Sequence, residues 1–321
     1  MTPVVLCLGA GRATTQPMPF VDLGVRVDPG NPHALREHLS SLLELGYAAV
    51  ALDTKVDACD RNARPVLIAG LIPLDDDVLR AVAKDADSNN NAVTELVVLR
   101  RVTVSFGEPG DLATFLAAND DLVRRYDLFA LHPTSERSFA SSVANRRCDI
   151  LALTLGGRSA FRLRANSLKS ASASGMSVEI SYNPALLDLG SRRNFFANGV
   201  SVARAVGENA GGGMRGTGGG DSDDDSDDLT RKVVPMPGTS NNSSNTPNSN
   251  ASKKKNSGGI ILTSGSRQAV ELRAPRDVCN LASLIGMKDE NARAALSVRP
   301  IKVVRNASRK RQDERFAAGD K

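Results

Sequence analysis

The chain has 321 residues, of which 41% are hydrophobic and 4% aromatic, and it contains no tryptophan. This length suffices for one large domain or two ordinary ones, with a core of Leu, Val, Ile and Ala. The four cysteines show no CxxC spacing, which argues against a zinc site or a disulfide framework and favours a reducing compartment. The start of the chain is apolar but short and lacks a basic n-region, so we expect neither a signal peptide nor a membrane span.

The formal net charge is +5, and its position along the chain is more informative than its size. Residues 299–321 hold eight Lys or Arg against three acidic residues, a surplus that equals the net charge of the whole protein. A basic end on a near-neutral body indicates a polyanionic partner or a nuclear address, although a merely solvated tail has the same composition.

Two predicted strands with a helix between them open the chain. Phe20–Gly24 is the first strand, and the continuous apolar run Tyr47–Leu52 has the character of a strand buried on both faces of a parallel sheet. Between them, Asn31 and Pro32 predict a helix start, leucines at i, i+4, i+7 and i+8 form one apolar stripe, and Gly46 predicts the end.

The alternation of strands and helices continues to residue 287. It predicts a right-handed parallel wind, either a barrel or an open sheet. Residues 53–92 yield only short strand pieces and a polar loop. The further predicted strands are Leu96–Val104, Asp127–Leu131, Asp149–Leu153, an edge piece at Phe161–Leu163, Met176–Tyr182 and Ile260–Leu262. The further predicted helices are one capped by Asp111, one capped by Thr134, Ala165–Ser174, Arg192–Arg204 and one from Pro275 that ends at Gly286.

These elements predict one discontinuous α/β domain, residues 20–206 and 258–298, after an N-terminal segment of residues 1–19. Residues 207–257 are Gly-, Asp-, Ser- and Asn-rich, and this composition buries too little apolar surface to offset chain entropy. We predict a disordered insertion, which the fold tolerates because closure entropy grows slowly with loop length. Its acidic run mimics nucleic acid or is a plain surface tract. Residues 299–321 form the predicted basic C-terminal tail.

Phosphate binding is the chemistry that the sequence favours most. The turn Thr263–Ser266 follows a strand and offers backbone N–H groups near a helix start, with Arg267 beside it. Other basic loops and the tail add arginines, whose fork matches phosphate. Each of these basic segments alone could equally form an ordinary surface ion pair. Taken together, they predict binding to an RNA or DNA backbone. The predicted RNA- or partner-binding residues are Arg192, Arg193, Ser264, Arg267, Arg273, Arg276, Arg309 and Lys310.

Catalysis finds little support in the sequence. Of the three histidines, His33 and His38 share a predicted helix at i and i+5, a poor chelating spacing. His132 follows a predicted strand, but one imidazole is too few for a binuclear metal site. Ser264 and Ser266 lack a G-x-S-x-G context and a histidine partner of known signature. We predict no catalytic residue, no metal ligand and no cofactor.

Segments spread along the chain resemble one known family, the thirty-kilodalton protein subunit of nuclear ribonuclease P and ribonuclease MRP, which archaeal ribonuclease P shares. The run RAPRDVCNL with TSGS upstream is the most specific part, and the resemblance covers roughly residues 20–206 and 258–310. The matching segments are Phe20–Gly24, Leu45–Asp53, Leu99–Val104, Tyr126–Phe139, Cys148–Leu155, Gly175–Leu186, Arg192, Arg193, Ile260–Ser266 and Glu271–Met287 with residues 295–297.

The resemblance implies a TIM-barrel-like fold, similar to the polymerase and histidinol phosphatase superfamily. Metal enzymes of that superfamily carry an Asp-x-His-x-His-like ligand set on the first strand. Here Asp22 is present, but Gly24 and Arg26 stand where imidazoles are needed. The shortage of histidine in the sequence therefore agrees with the non-catalytic role that the family implies. The alternative is a metal-dependent phosphoesterase on the same barrel, with a divalent-ion cluster near Asp22, His132 and Glu179.

In that family, a structured RNA removes the 5′ leader of precursor tRNA, and the proteins fold and brace that RNA. The implied role is a non-catalytic RNA-binding subunit of ribonuclease P and also of MRP. The implied partners are the ribonuclease P and MRP RNAs, a ferredoxin-like Pop-five-type subunit, the other ribonuclease P proteins and, indirectly, precursor tRNA, with no membrane. The implied location is the nucleus and, within it, the nucleolus.

Overall fold

The computed structural model describes residues 19–26, 32–60, 96–158, 161–208 and 258–317. Its seven-stranded sheet is hydrogen-bonded in chain order, and every neighbouring pair is parallel. The strands are β1 (Phe20–Arg26), β2 (Tyr47–Asp57), β3 (Val97–Phe106), β4 (Leu128–Pro133), β5 (Ile150–Ala152), β6 (Ser177–Ser181) and β7 (Ile260–Thr263).

Helices connect the strands and cover the outside of the sheet. They are α1 (Pro32–Glu44), α2 (Pro109–Val123), α3 (Glu136–Ala144), α4 (Ala165–Ala173), the short α5 (Pro184–Leu187), α6 (Leu189–Val206), α7 (Pro275–Leu284), α8 (Asp289–Leu296) and α9 (Val298–Ala317), with a 3₁₀ turn at Ala269–Glu271. Most strand residues are buried, because one face of the sheet meets the barrel interior and the other meets the covering helices.

The sheet curls until β1 meets the segment that follows β7. The N–H of Gly265 donates to the carbonyl of Gly24 at 2.9 Å, and the N–H of Arg26 donates to the carbonyl of Ser266 at 2.9 Å. A register shift between Asp22 and Val25 bends β1 at this point. The result is a nearly closed, TIM-barrel-like α/β fold, which confirms the expected fold class.

The half of the barrel interior at the amino ends of the strands is apolar. Inward-facing residues of β1, β2, β4, β5 and β7 pack together there, and two residues of α9 complete the layer. These interior residues are Val21, Leu23, Ala49, Ala51, Leu128, Ala130, Ile150, Ile261, Val303 and Ala307. Two further apolar clusters lie outside the sheet, one under α1 and one shared by the other covering helices.

Helix α9 closes the amino end of the barrel. Lys310 Nζ lies 3.1 Å from Asp149 Oδ1, and Arg311 Nη2 lies 3.4 Å from Asp149 Oδ2. Asp149 immediately precedes β5, and Val303 and Ala307 enter the apolar interior from the same side. The predicted tail of residues 299–321 is therefore, through residue 317, a helix that belongs to the barrel.

Most predicted elements are confirmed. The leucine stripe of α1 is fully buried, and β2 and β3 begin within a residue of their predicted starts. Pro275 opens α7, and Gly286 ends it with a left-handed φ of 85°. The short strand pieces predicted within residues 61–95 and the polar loop at 85–91 lie outside the described residues.

Three local predictions are wrong. Helix α2 begins at Pro109 with Glu108 as its N-cap, so Asp111 lies in the first turn instead of capping it. The N-cap of α3 is Ser135 instead of Thr134, because the Ser135 hydroxyl accepts the N–H of Ser138. Residues 161–163 form no strand; Phe161 instead packs its ring against Phe139 at 5.3 Å.

The first two residues of the predicted insertion belong to the barrel. Gly207 ends α6 in the left-handed conformation. The buried Glu208 carboxylate pairs with Arg299 at 2.9 Å, and Arg299 also donates to the carbonyl of Ile260 at 3.1 Å. This contact joins the end of α6 to the start of β7. Residues 209–257 lie outside the described residues.

Candidate functional site

A buried guanidinium occupies the upper half of the barrel interior. Arg101 on β3 is only 1% exposed. It binds Glu179 on β6 through two hydrogen bonds of 2.6 Å each, and its Nε lies 3.4 Å from Asp53 Oδ1 on β2. It also donates to the carbonyl of Leu23 on β1 at 2.7 Å. One arginine therefore connects β3 with its neighbours β2 and β1 and, across the barrel interior, with β6.

The charges of this cluster stabilise one another. Burial acts to lower the pKa of Arg101, but the Asp53 and Glu179 carboxylates outweigh it and raise that pKa, so the guanidinium stays charged. Burial acts to raise the pKa of Glu179. The charge of Arg101 and the hydrogen bonds from Arg101 and Thr263 outweigh it, so the pKa of Glu179 is lowered. The pKa of Asp53 is raised, because its burial outweighs the attraction of Arg101.

The predicted phosphate-binding turn is an internal structure. Ser264 and Ser266 are both fully buried, and their hydroxyls lie 2.9 Å apart. His38 on α1 contacts the Ser266 hydroxyl at 2.8 Å, and the N–H of Ser264 donates to the Asp22 carboxylate at 3.2 Å. Burial raises the pKa of Asp22 and lowers the pKa of His38. This network fastens β7 to β1 and α1, and the Ser264 side chain is not open to an RNA phosphate.

Two of the side chains that the alternative divalent-ion cluster would use already have hydrogen-bond partners. The Glu179 carboxylate is fully engaged by Arg101 and by Thr263. His132 contacts Ser105 at 3.2 Å and Thr154 at 2.6 Å, and burial lowers its pKa to about 4. Within the described parts of the chain, no group of three or more His, Cys, Asp or Glu is arranged to hold a metal ion.

Gly24 explains why β1 carries no imidazole at this level. A Cβ built on Gly24 would lie 2.8 Å from Glu179 Oε1 and 2.8 Å from Thr263 Cβ. Any side chain at this position therefore collides with the residues that hold Arg101. The buried ion cluster and the small residue on β1 depend on each other.

The structure separates the eight predicted contact residues into two kinds. Four have exposed side chains with no hydrogen bond or ion pair within the described residues: Arg193, Arg267, Arg276 and Arg309. In the other group, Arg192 donates to the carbonyl of Ala185, Arg273 donates to the carbonyls of Val270 and Leu272, and Lys310 binds Asp149. Ser264 is buried.

The four unpaired arginines do not form one patch. Arg193 lies near the start of α6 and Arg276 is the second residue of α7. Helices that follow parallel strands start at the carboxyl end of the barrel. Arg267 follows β7 at the same end. Arg309 lies on α9 beside Lys310, whose contact with Asp149 fixes it at the amino end. Any contact surface that includes all four must reach around the molecule.

Three cationic residues of the carboxyl end were not among the contacts predicted from the sequence: Arg26, Lys55 and Arg101. The alternation of side chains along a strand was the signal that could have found them. Asp53 and Lys55 on β2 are two residues apart, as are Arg101 and Thr103 on β3, so each pair faces one side of the sheet. An inward-facing arginine on an otherwise apolar strand was visible in the sequence, but its partner Glu179 is 78 residues away.

No helix in the described ranges combines the length and apolarity that crossing a bilayer requires.

Known proteins similar to this chain point to one family. The family model described as RNase P subunit p30 matches residues 19–211 and 244–312. A mouse protein named ribonuclease P protein subunit p30 is 22% identical over 87% of this chain and 82% of its own length. The Saccharomyces cerevisiae ribonuclease P/MRP protein subunit RPP1 is 28% identical over 52% of this chain and 53% of its own length.

Two solved structures are similar to most of the chain at lower identity. A chain of archaeal ribonuclease P bound to mature tRNA has a TM-score of 0.47, 13% identity, and covers 92% of this chain and 90% of its own. Histidinol phosphate phosphatase from Lactococcus lactis has a TM-score of 0.42, 8% identity, and covers 84% of this chain and 94% of its own. Because the family model matches most of its residues, the chain belongs to the RNase P subunit p30 family.

Proposed function

We propose that this protein is a non-catalytic, RNA-binding subunit of ribonuclease P that supports removal of the 5′ leader of precursor tRNA by the RNA component. Membership of the RNase P subunit p30 family is the observation that carries the proposal. The buried Arg101 supports the non-catalytic part, because it already neutralises the Glu179 and Asp53 carboxylates that a hydrolytic metal site would need.

The proposed partners follow from the same family. They are the ribonuclease P RNA, a ferredoxin-like Pop-five-type subunit and the other ribonuclease P proteins, with precursor tRNA contacted indirectly. Similarity to a yeast subunit named for both ribonuclease P and MRP supports a shared role in MRP and in pre-rRNA cleavage. The corresponding location is the nucleus, and the nucleolus within it.

Among the predicted contact residues, the exposed arginines without partners in the described chain are the best candidates for RNA phosphates. They are Arg193, Arg267, Arg276 and Arg309. An arginine that already donates to carbonyl groups, as Arg273 does, has fewer donors to offer. Direct contact by Arg192, Arg273 and Lys310 stays a prediction, and Ser264 contributes through the position of its loop.

The first experiment captures the tagged full-length chain from cells and sequences the crosslinked RNA. We expect enrichment of ribonuclease P RNA and, for a shared subunit, of MRP RNA. Recovery of proteins without either RNA would indicate a scaffold that touches only proteins. Cleavage of precursor tRNA by the purified chain alone, free of RNA, would contradict the non-catalytic role.

The second experiment measures affinity of the purified chain for ribonuclease P RNA as a function of salt. Removing one arginine that binds a phosphate reduces the slope of log affinity against log salt by roughly 0.7–0.9. We therefore expect the double variant Arg193→Gln/Arg276→Gln to lower the slope by about 1.5. Lys169→Gln is the matched control, an exposed cation on α4. An equal slope in the double variant and the control would remove both arginines from the contact surface.

A further inference from the structure

A cavity of about 440 Å³ opens at the carboxyl end of the barrel. Its floor is the buried Arg101 cluster, and its wall is formed by the ends of several strands and by the segment after β7. The polar residues that line its upper part are Arg26, Lys55, His132, Asn183, Arg267 and Glu271. This volume is in the range that small ligands occupy in proteins.

Three cations of this cavity have no anionic partner within the described residues. The side chains of Arg26, Lys55 and Arg267 make no ion pair or hydrogen bond there. They come from the end of β1, the carboxyl-terminal part of β2 and the loop after β7, so the fold itself assembles them. Burial and the charge of Arg26, with a smaller contribution from Arg267, lower the pKa of Lys55, although the nearby carboxylates of Asp53 and Asp57 act to raise it.

The carboxylates of the same cavity are already satisfied. Asp53 and Glu179 bind Arg101. Glu271 accepts the N–H of Arg267 at 2.7 Å and the amide of Asn183 at 3.2 Å. Clusters of unpaired cations repel one another, and a bound anion relieves that repulsion.

Asn183 adds a second unsatisfied group to the cavity wall. Its side-chain N–H₂ donates to the carbonyl of Gly265 at 3.3 Å and to Glu271 Oε2 at 3.2 Å. Both partners are acceptors, so the amide cannot be turned round. The amide oxygen is left buried without a donor in the described chain, although Asn183 is only 7% exposed. Buried oxygens of this kind are normally hydrogen-bonded.

We propose that the carboxyl-end cavity binds a phosphate monoester through Arg26, Lys55 and Arg267. The phosphate is carried either by a free nucleotide or by the 5′ end of an RNA strand. Both also carry a ribose 2′-hydroxyl, a donor of the kind that the Asn183 oxygen lacks. The guanidinium groups of Arg26 and Arg267 provide forked donors and Lys55 a point charge. Arg267 is shared with the RNA contacts of the proposed function, whereas Arg26 and Lys55 are not, so variants of Arg26 and Lys55 test the cavity separately from binding of ribonuclease P RNA.

Calorimetric titration of the purified full-length chain tests the site with inorganic phosphate, AMP and a short RNA that carries either a 5′ phosphate or a 5′ hydroxyl. We expect saturable binding of phosphate and of AMP, and preference for the phosphorylated RNA end if RNA is the source. Tighter binding of AMP than of the phosphorylated RNA identifies a free nucleotide as the source.

The variant Arg26→Gln/Lys55→Gln removes two of the three cations and should weaken phosphate binding roughly tenfold for each charge removed. Lys55→Gln alone, which leaves Arg26 in place, serves if the double variant fails to fold. The matched control Lys169→Gln removes one positive charge from an outer helix and should bind as the wild type does. Absence of phosphate binding by the wild type, or equal weakening by Lys169→Gln, would overturn the proposal.

Discussion

The two ends of the barrel differ in the kind of side chains that fill the interior. At the amino end, the interior between the strands is filled by apolar side chains, and α9 covers it with Val303 and Ala307. At the carboxyl end, the interior is filled by an ion cluster around Arg101 and leaves a cavity open above it. Burial of apolar surface is non-directional, whereas the ion cluster depends on a few oriented hydrogen bonds.

The two ends therefore differ in how they tolerate substitution and in whether they can bind an anion. The apolar end tolerates exchange of one hydrophobic side chain for another of similar volume. The charged end does not, because removal of one member leaves the others buried and unpaired. Unpaired cations are also present only above the ion cluster among the interior-facing residues that the structure describes. Both ends thus contribute to stability, and the open end is in addition available for an anion.

The largest expected effect is the loss of Arg101. Arg101→Met should lower the free energy of unfolding by about 3–5 kcal/mol, because the Glu179 and Asp53 carboxylates stay buried without their partner. Urea denaturation followed by circular dichroism measures this change. Arg100→Met is the control, since the half-exposed pair of Arg100 with Asp127 contributes at most about 1 kcal/mol.

A double variant sharpens the same comparison. In Arg101→Met/Glu179→Leu one orphaned carboxylate is also removed, so the double variant should be more stable than Arg101→Met alone. If Arg101→Met unfolds within about 1 kcal/mol of the wild type, the ion cluster does not hold the carboxyl end together.

A smaller effect is expected at the closed end. Val303→Ala removes two methyl groups from a side chain that is 4% exposed, which should cost about 2 kcal/mol of unfolding free energy. Phosphate binding at the opposite end should not change. Arg305→Ala, at an exposed position of the same helix, should stay within about 0.5 kcal/mol of the wild type. Equal stability of the two variants would show that α9 does not seal the barrel.

The smallest effect is pH-dependent and concerns His132. Because its folded pKa is lowered to about 4 while an unfolded histidine titrates near 6.5, the unfolded state takes up a proton first as pH falls. His132 therefore contributes stability above pH of about 6.5 that is lost between there and pH of about 4. Between pH of about 7 and 4.5, we expect His132→Gln to lose roughly 1–2 kcal/mol less than the wild type.

His38 is present in both proteins, so the effect of its own lowered pKa cancels in this comparison. Urea midpoints at several pH values provide the measurement. Parallel pH profiles of His132→Gln and the wild type would mean that His132 does not titrate on unfolding.

Local sequence signals predicted the barrel wall well. Apolar runs between helix stripes identified β2 and β7, and Pro275 with Gly286 bounded α7, because these signals depend on residues a few positions apart. The basic composition of α9 instead predicted a tail. Val303 and Ala307, with the partly buried Ile301 and Val304 beside them, give the helix an apolar face that packs against the barrel end.

The site was less predictable for a physical reason. Ser264 looked like a phosphate-binding hydroxyl, since a polar turn before a helix has the same sequence whether it faces solvent or the interior. Its burial is decided by Asp22, which is 242 residues away. Similarly, Lys310 is bound to Asp149 across 161 residues of chain. Such long-range partners have no local pattern.

The paired contact of Glu208 with Arg299 has a practical consequence for locating this subunit inside a larger particle. Together with the hydrogen bond from the N–H of Gly258 to the carbonyl of Ser172 at 2.6 Å, it fixes both attachment points of residues 209–257 at the pole remote from the cavity. A fluorophore or gold label introduced directly beside either attachment point would mark one known pole of the barrel. Its distance to labelled RNA would then report which pole faces the RNA.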